Sequence, residues 1–174
     1  SIVAESAKSL NMPYITERWP GGLLTNFSTI RKSIKKMNSI DTMKEDGTFD
    51  TLSKREKLQI ERTREKLELN FGSIENMNRI PEAIFVVDIN KEHIAVAEEN
   101  KLGMRSYAMV DTNTNPKLVN FPIPANDDST KSISKIMQII SEAIAEGLSE
   151  RSKTIEEKAK IKQEKAKEIL NKDN

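Results

Sequence analysis

Three carboxylates stand where parallel α/β sheets commonly hold ligands. Asp88 and Asp111 each end an apolar run that predicts a strand, and Asp127 lies at the entry to a predicted helix. Open α/β sheets bind ligands outside the carboxyl ends of their strands, so these positions allow a nucleotide or metal site. Neither GxGxxG nor GxxxxGK[ST] occurs, however, and such carboxylates also cap helices and turns. We therefore expect capping, with no cofactor, no metal and no small-molecule substrate.

The sequence contains few residues that could carry out nucleophilic catalysis. There is no cysteine, which excludes thiol chemistry, disulfides and cysteine-ligated zinc. The one histidine, His93, falls within a predicted helix and has no partner placed to form a triad or a metal pair. The sequence predicts that the protein is not an enzyme.

A basic cluster beside an aromatic-bearing loop is the other candidate site. Lysine and arginine contact phosphates, and tryptophan stacks on unpaired bases. The net charge is only +1, so binding to nucleic acid would depend on this local patch. The alternative is a solvated helix face and a core tryptophan, because short basic runs are common on charged helices. The candidate RNA-binding residues are Arg18, Trp19, Arg31, Lys32, Lys35 and Lys36.

Composition favours one domain with peripheral helices. The chain has 174 residues, of which 36% are hydrophobic and 32% charged. No apolar run approaches the roughly twenty residues that span a bilayer, and no signal peptide is evident, so we expect a cytoplasmic protein without a membrane partner. Because Ser1 opens inside a helical pattern without an initiating Met, we also expect a fragment that lacks upstream strands.

Residues 25–80 predict a long charged helical hairpin. Apolar residues recur every three or four positions from Phe27 to Met43, EDGT supplies a turn, and Ser53 with Glu56 forms a possible capping box. Two narrow apolar stripes joined by a turn are typical of an antiparallel coiled coil. We expect a projecting arm whose second helix has its seam at Ile60, Thr63, Leu67 and Phe71 or Ile74.

The remaining segments predict an α/β domain from residues 1–24 and 81–148. An initial helix precedes a short strand at Tyr14-Ile15, and Ala83 to Val87 is a strand buried on both faces. The fold class is a parallel Rossmann-like or flavodoxin-like sheet with the arm inserted. Further predictions are a helix at 91–101 capped by Asn90 and closed by Gly103, a strand at 104–110, an extended piece at 119–123, a helix begun by Asp127, Asp128 and Ser129, and a solvated or disordered tail at 149–174.

Several ungapped motifs in one order resemble the small-subunit ribosomal protein S-two family of the bacterial type. RWPGGLLTN followed by FSTIRKSIKKM resembles its first signature, and PEAIFVVDINKEHIAVAE is similar to its second. DTNTNP and FPIPANDD extend the likeness. The chain departs from the pattern at Pro20, Ser73 and Thr114-Asn115. The positions that match are Gly21, Gly22, Thr25, Asn26, Pro81, Asp88, Glu92, Glu98, Asp111, Asn113, Asn126, Asp127 and Asp128.

The resemblance implies a structural constituent of the small ribosomal subunit. Its expected partners are small-subunit rRNA and other small-subunit proteins, including the S-one protein that it would help recruit. It also implies an absence of enzymatic activity. Two alternatives from the residues alone are a nucleotide-binding α/β enzyme, which needs a pocket near Asp88 and Asp111, and a coiled-coil interaction scaffold, which needs an exposed apolar patch on the arm.

Overall fold

A computed structural model describes the backbone of residues 1–172 and the side chains of residues 1–155 and 158. Within that part of the chain, five α-helices and three β-strands form an α/β fold. The helices are α1 (Ile2–Ser9), α2 (Phe27–Glu45), α3 (Lys54–Phe71), α4 (His93–Leu102) and α5 (Thr130–Lys172). The strands are β1 (Ala83–Val87), β2 (Arg105–Val110) and β3 (Phe121–Pro124), and short 3-10 turns cover Thr48–Thr51, Gly72–Ile74 and Pro116–Leu118.

The sheet is parallel and has the order β1-β2-β3. Val86 pairs with Ala108, and Met109 pairs with Ile123. On one face Val86, Ala108 and Val110 pack with Val96 of α4. The run from Ala83 to Val87 forms β1, so the strand predicted there is confirmed. The predicted burial on both faces is wrong: β1 is an edge strand of the described sheet, only Val86 among its residues is buried, and Ala83 is exposed.

The connection from β1 to α4 differs from the predicted one. Asn90 does not cap the helix; Asp88 accepts the amides of Asn90 and Lys91 at 3.1 and 3.0 Å. Asp88 has φ +63°, a left-handed conformation that aspartate tolerates better than most residues. The chain makes one further turn before α4 begins at His93. Gly103 ends that helix with φ +64°, as predicted.

The predicted strand at Tyr14-Ile15 is wrong. Both residues lie in irregular chain, and Pro13 before them has no amide to donate to a ladder. The carbonyl of Tyr14 instead accepts a hydrogen bond from the Ser73 hydroxyl, and Ile15 packs against a hydrophobic cluster. Burial and a side-chain partner therefore satisfy this segment without a sheet.

Helices α2 and α3 lie side by side and run in opposite directions. Asp41 pairs with Arg64 at 2.6 Å, and Lys44 pairs with Glu61 at 3.8 Å. The capping box predicted at Ser53 is present, with its side chain and backbone both bonded to Glu56. Four residues of α2 are buried, Ile30, Ile34, Met37 and Ile40, whereas none of α3 is.

Helix α5 is longer than the sequence indicated. It runs unbroken from Thr130 to Lys172, so the backbone of the predicted tail is helical as far as it is described. Its buried residue Met137 lies in the part that follows the sheet, and the side chains from Ser149 to Ile155 are exposed. For most of the remaining tail, the predicted exposure to solvent concerns side chains that lie outside the described residues. Within the described chain, no helix combines the length and apolarity that crossing a membrane requires.

Candidate nucleic-acid interface

The loop from Arg18 to Asn26 is held by one buried carboxylate from α4. Glu98 accepts hydrogen bonds from the backbone amides of Gly22, Leu24 and Thr25 at 2.6, 2.9 and 3.0 Å. It also accepts the Thr25 hydroxyl at 3.1 Å and the Trp19 indole N–H at 3.4 Å. The two motifs that the sequence analysis matched separately are therefore joined by a single side chain.

Electrostatics favour the charged form of Glu98. Burial alone would raise the pKa of its carboxyl, but the amides of Thr25, Leu24 and Gly22 hold the pKa below its usual range. A carboxylate that accepts several backbone N–H groups is stabilised in this way. Glu98 thus neutralises a nest of loop amides and fixes where the loop enters α2.

The loop needs glycine at Gly22, and it enters α2 through Asn26. Gly22 has φ +85°, and a Cβ there would approach the Asn26 Cβ to 3.3 Å, so a side chain would strain the turn. Gly21 has open space around its Cα. Asn26 precedes α2 without capping an amide; its Oδ1 accepts the Thr29 hydroxyl at 2.9 Å.

Trp19 is largely a packing residue. Its ring is half-buried against the cluster that contains Leu23, Leu24 and Ile74, and its N–H faces Glu98. Arg18, one residue earlier, is exposed. Of the two loop residues proposed to meet RNA, the structure leaves the arginine free to reach a phosphate and commits most of the tryptophan to the fold.

The basic cluster on α2 also divides into two parts. Arg31 turns toward the domain, and its Nη1 donates to the Met77 carbonyl at 3.0 Å and to Asn78 Oδ1 at 2.8 Å. Lys32, Lys35 and Lys36 are exposed, and none of them takes part in an ion pair within the described residues. At 100° per residue these three lie opposite the buried stripe. We call Lys32, Lys35 and Lys36 the α2 lysine face.

Carboxylates do gather at the strand ends, as the sequence indicated. Asp127 is buried and its Oδ2 has no hydrogen-bond partner within the described residues. Burial, followed by the charges of Asp88, Asp111 and Asp128, raises the pKa of Asp127. Lys91 is the cation of this group, 2.8 Å from Asp88 and 3.7 Å from Asp128.

The other motif residues around these strand ends are structural. Burial, aided by the Asp88 charge, raises the pKa of Glu92. Asn126 Oδ1 accepts the amides of Asp128 and Ser129 at 3.1 and 2.6 Å and so shapes the entry to α5. Pro81 is half-buried before β1, and Asn113 is exposed in the turn after β2. No set of three or more acidic or histidine side chains has metal-ligand geometry in the described part of the chain.

One buried acid escaped the sequence reasoning. Glu99, next to Glu98 on α4, is 1% exposed, and neither carboxylate oxygen has a hydrogen-bond partner within the described residues. Burial raises the pKa of Glu99, and the nearby Ser106 hydroxyl offsets only part of that effect. Helical spacing was the available signal, because Glu99 lies four residues after Ala95 and three after Val96, which are both buried on α4.

Comparison with known proteins assigns the chain to a family. The model of the family described as Ribosomal protein S2 matches residues 1–147. The chain belongs to this family.

Named relatives agree over the same region. The small ribosomal subunit protein uS2 of Flavobacterium johnsoniae is 63% identical over 150 residues, which cover 86% of this chain and 59% of the relative. The protein of the same name from Flavobacterium psychrophilum is 62% identical, covering 87% of this chain and 57% of the relative. That of Porphyromonas gingivalis is 62% identical, with 86% and 53% covered. The chain thus spans about half the length of the curated relatives it matches.

Proposed function

We propose that this chain is a structural, non-enzymatic component of the small ribosomal subunit in the cytoplasm and that it binds small-subunit rRNA. The observation that carries the RNA role is the α2 lysine face, Lys32, Lys35 and Lys36, which is exposed and free of ion pairs within the described residues. Lysines placed on one side of a helix contact successive phosphates without reading sequence. Family membership supports the ribosomal setting.

Binding in this account depends on shape as well as charge. Helices α2 and α3 form an antiparallel coiled-coil arm, residues 25–80 with its connection, that protrudes from an α/β domain of residues 1–24 and 81–148, followed by a charged tail of residues 149–174. The Asp41–Arg64 and Lys44–Glu61 pairs support the antiparallel register. Arg31 bonds the base of the arm to the chain before β1, so the arm presents its lysines at a fixed angle.

Arg18 extends the same interface toward the loop. Glu98 fixes the loop backbone, so the exposed Arg18 side chain starts from a defined position close to the base of α2. A preorganised cation loses less entropy on meeting a phosphate than one on a mobile loop. Trp19 contributes by holding the loop against the cluster, and base stacking is a minor part of its role.

Protein partners complete the assignment. Other small-subunit proteins contact this chain, and it helps to recruit the S-one protein, which handles messenger RNA. No cofactor, metal, membrane or small-molecule substrate takes part. The strand ends are poorly suited to a nucleotide in this account, because Asp88, Asp111, Asp127 and Asp128 would repel its phosphates. Within the described residues, Lys91 is the cation that pairs with this group.

Incorporation into ribosomal subunits tests the proposal. A protein of the relatives' length that carries this chain should co-sediment with small subunits and remain bound through a moderate salt wash. Lys32→Gln/Lys36→Gln should be released at lower salt, because fewer counterions are displaced on binding. Lys131→Gln/Lys135→Gln, which neutralises two exposed lysines of α5, is the matched control and should wash off like the parent. Absence of the parent from small subunits would refute the ribosomal role, and equal release of both variants would refute the lysine face.

A further inference from the structure

Helix α3 carries a second exposed face, on the side away from α2. Ile60, Thr63 and Leu67 are half-buried on the side toward α2. At 100° per residue, Leu58 and Leu69 point the opposite way, and they are 49% and 63% exposed. Large aliphatic side chains at such exposure, about 16 Å apart along one helix face, have no role in the described fold.

The charges of α3 are sorted between its two sides. In sequence the helix is nearly balanced, yet three of its four glutamates are engaged: Glu56 in the capping box, Glu61 with Lys44 and Glu68 with Arg64. Lys57 and Arg64 are paired as well, with Asp50 and Asp41.

What remains on the outward side is mainly basic, with one exposed glutamate, Glu65, among the cations. Arg55, Arg62 and Lys66 are exposed and form no ion pair within the described residues. They line a shallow groove along α3 together with Leu58 and Gln59 and, from the side toward α2, Thr63 and Leu67; Leu69 lies outside this groove.

The pairing along the arm leaves four cations of α3 without an ion pair in the described structure: Lys54, Arg55, Arg62 and Lys66. The last three form, with two leucines, what we call the α3 outer face: Arg55, Leu58, Arg62, Lys66 and Leu69.

The spacing on this face suits a helix better than a nucleic acid. Leu58, Arg62, Glu65 and Leu69 are separated by four, three and four residues, which is the a/d spacing of a coiled-coil seam. RNA backbones contact the cations of such a face but gain little from its two leucines, whereas Glu65, which is exposed here, would repel either kind of acidic partner. A protein helix can place aliphatic side chains against both leucines and carboxylates beside the three cations.

We infer that the α3 outer face is a docking surface for an acidic amphipathic helix of a partner protein. Leu58 and Leu69 supply the apolar anchors at its two ends. Arg55, Arg62 and Lys66 select carboxylates and set the direction of the incoming helix. The surface is separate from the α2 lysine face, and it would bind its partner whether or not α2 contacts RNA.

A designed peptide is the probe for this surface. It has about three heptads with leucine at a and d and glutamate at e and g, carries a fluorophore, and is compared with a twin that has lysine in place of each glutamate. Fluorescence anisotropy with the full chain should show saturable binding of the acidic peptide and no binding of the basic one. Arg55→Glu/Arg62→Glu/Lys66→Glu should reverse that preference.

Two more variants separate this surface from general charge attraction. Leu58→Ala/Leu69→Ala should lower the affinity for the acidic peptide about tenfold. The same variant should bind a small-subunit rRNA fragment as tightly as the parent. Lys131→Glu/Lys135→Glu, a charge reversal on α5, should leave peptide binding unchanged. Circular dichroism should report the same helix content in all variants, because each altered side chain is exposed.

Three results would overturn the inference. The first is an acidic peptide that does not bind, or that loses as much affinity through the α5 variant as through the α3 charge reversal. The second is an rRNA fragment that loses affinity when the leucines are replaced, which would make the face an RNA site. The third is self-association of the chain that disappears with Leu58→Ala/Leu69→Ala, which would identify the occupant as a second copy.

Discussion

Two regions of the molecule use their polar groups differently. The loop from Arg18 to Asn26 bonds them within the fold, whereas the outward face of α2 leaves its charges exposed. In the loop, a single carboxylate, Glu98, accepts five hydrogen bonds. The residues around it are fixed, and much of their polar capacity is used inside the fold. On α2, Lys32, Lys35 and Lys36 have their charges free of ion pairs within the described residues.

The residues that make this sequence distinctive differ from the residues that we propose to contact RNA. The loop motif is distinctive in sequence because glycine, threonine and tryptophan each satisfy a geometric demand of the Glu98 junction. The α2 lysines are ordinary in sequence, as the proposed contact with phosphates would allow, because such contacts need charge and position more than one residue type. In the proposed function, the loop thus positions the RNA-binding surface that α2 carries.

The largest loss of stability is expected from a substitution at Met37, which is 1% exposed on the inner side of α2. Met37→Asp removes a buried apolar side chain and buries a carboxylate, which together should cost about 4 kcal/mol. We expect loss of the α2–α3 pair with retention of the sheet, detected by circular dichroism and limited proteolysis. Leu67→Asp should cost less, because Leu67 is half-buried.

The neighbouring exposed residue supplies the control. Asn38→Asp introduces the same carboxylate one position along, where the side chain faces solvent, and should change stability little. Equal proteolytic sensitivity in the Met37→Asp variant and its parent would contradict the paired-helix account.

The next effect is expected at the Glu98 junction. Glu98→Gln keeps the size but turns an N–H₂ group toward backbone donors, so at least one buried amide loses its acceptor. The free energy of unfolding should fall by about 3 kcal/mol, as measured by urea denaturation with Trp19 fluorescence, which reports a single site because the chain has one tryptophan.

Glu99→Gln is the matched comparison on the same helix. Its carboxylate is buried without a hydrogen-bond partner in the described structure, so removing the charge should leave stability unchanged or raise it at neutral pH. If Glu99→Gln lowered the free energy of unfolding as much as Glu98→Gln does, the effect of Glu98 would come from burial alone and not from its hydrogen bonds to the loop amides.

The two glutamates should also respond to pH in opposite directions. The pKa of Glu98 is lowered in the fold despite its burial, so its stabilisation is present above the ordinary glutamate pKa of about 4.3 and is lost as pH falls through the folded value. Burial raises the pKa of Glu99, so the stability it contributes in its neutral form is lost as pH rises through its folded pKa.

Urea titrations at a series of pH values test this opposition. Glu98→Gln should reduce the loss of the free energy of unfolding at acid pH. Glu99→Gln should become more stable relative to the parent as pH rises. Parallel profiles for the two variants would contradict the assignment of opposite charge states.

Periodicity and turn chemistry predicted the elements that have a local cause. The apolar run Ala83 to Val87, the capping box at Ser53 and the helix end at Gly103 all depend on residues within a few positions of one another. The strand at Tyr14-Ile15 was wrong because a distant hydroxyl, that of Ser73, supplies its partner. The predicted cap at Asn90 was wrong because the chain first turns through Asp88, which has a left-handed conformation, so that α4 begins only at His93.

The candidate site was predictable in type but not in detail. A basic run on a charged helix indicated Lys32, Lys35 and Lys36, and their placement away from the buried stripe follows from helical spacing. Sequence spacing could not show that Arg31 bonds to Met77, 46 residues away. It also could not show that pairing within the arm leaves cations on the outer face of α3.

The central claim is that the α2 lysine face, positioned by the Glu98 junction, is the RNA-binding surface. Its most direct test is the salt dependence of binding to a small-subunit rRNA fragment for Lys32→Gln/Lys36→Gln and for Lys131→Gln/Lys135→Gln, two lysine pairs with the same four-residue spacing on exposed helix faces. The first variant should lower the slope of log K against log salt by about two units, and the second should leave it at the parent value. Equal slopes for all three proteins would contradict the account.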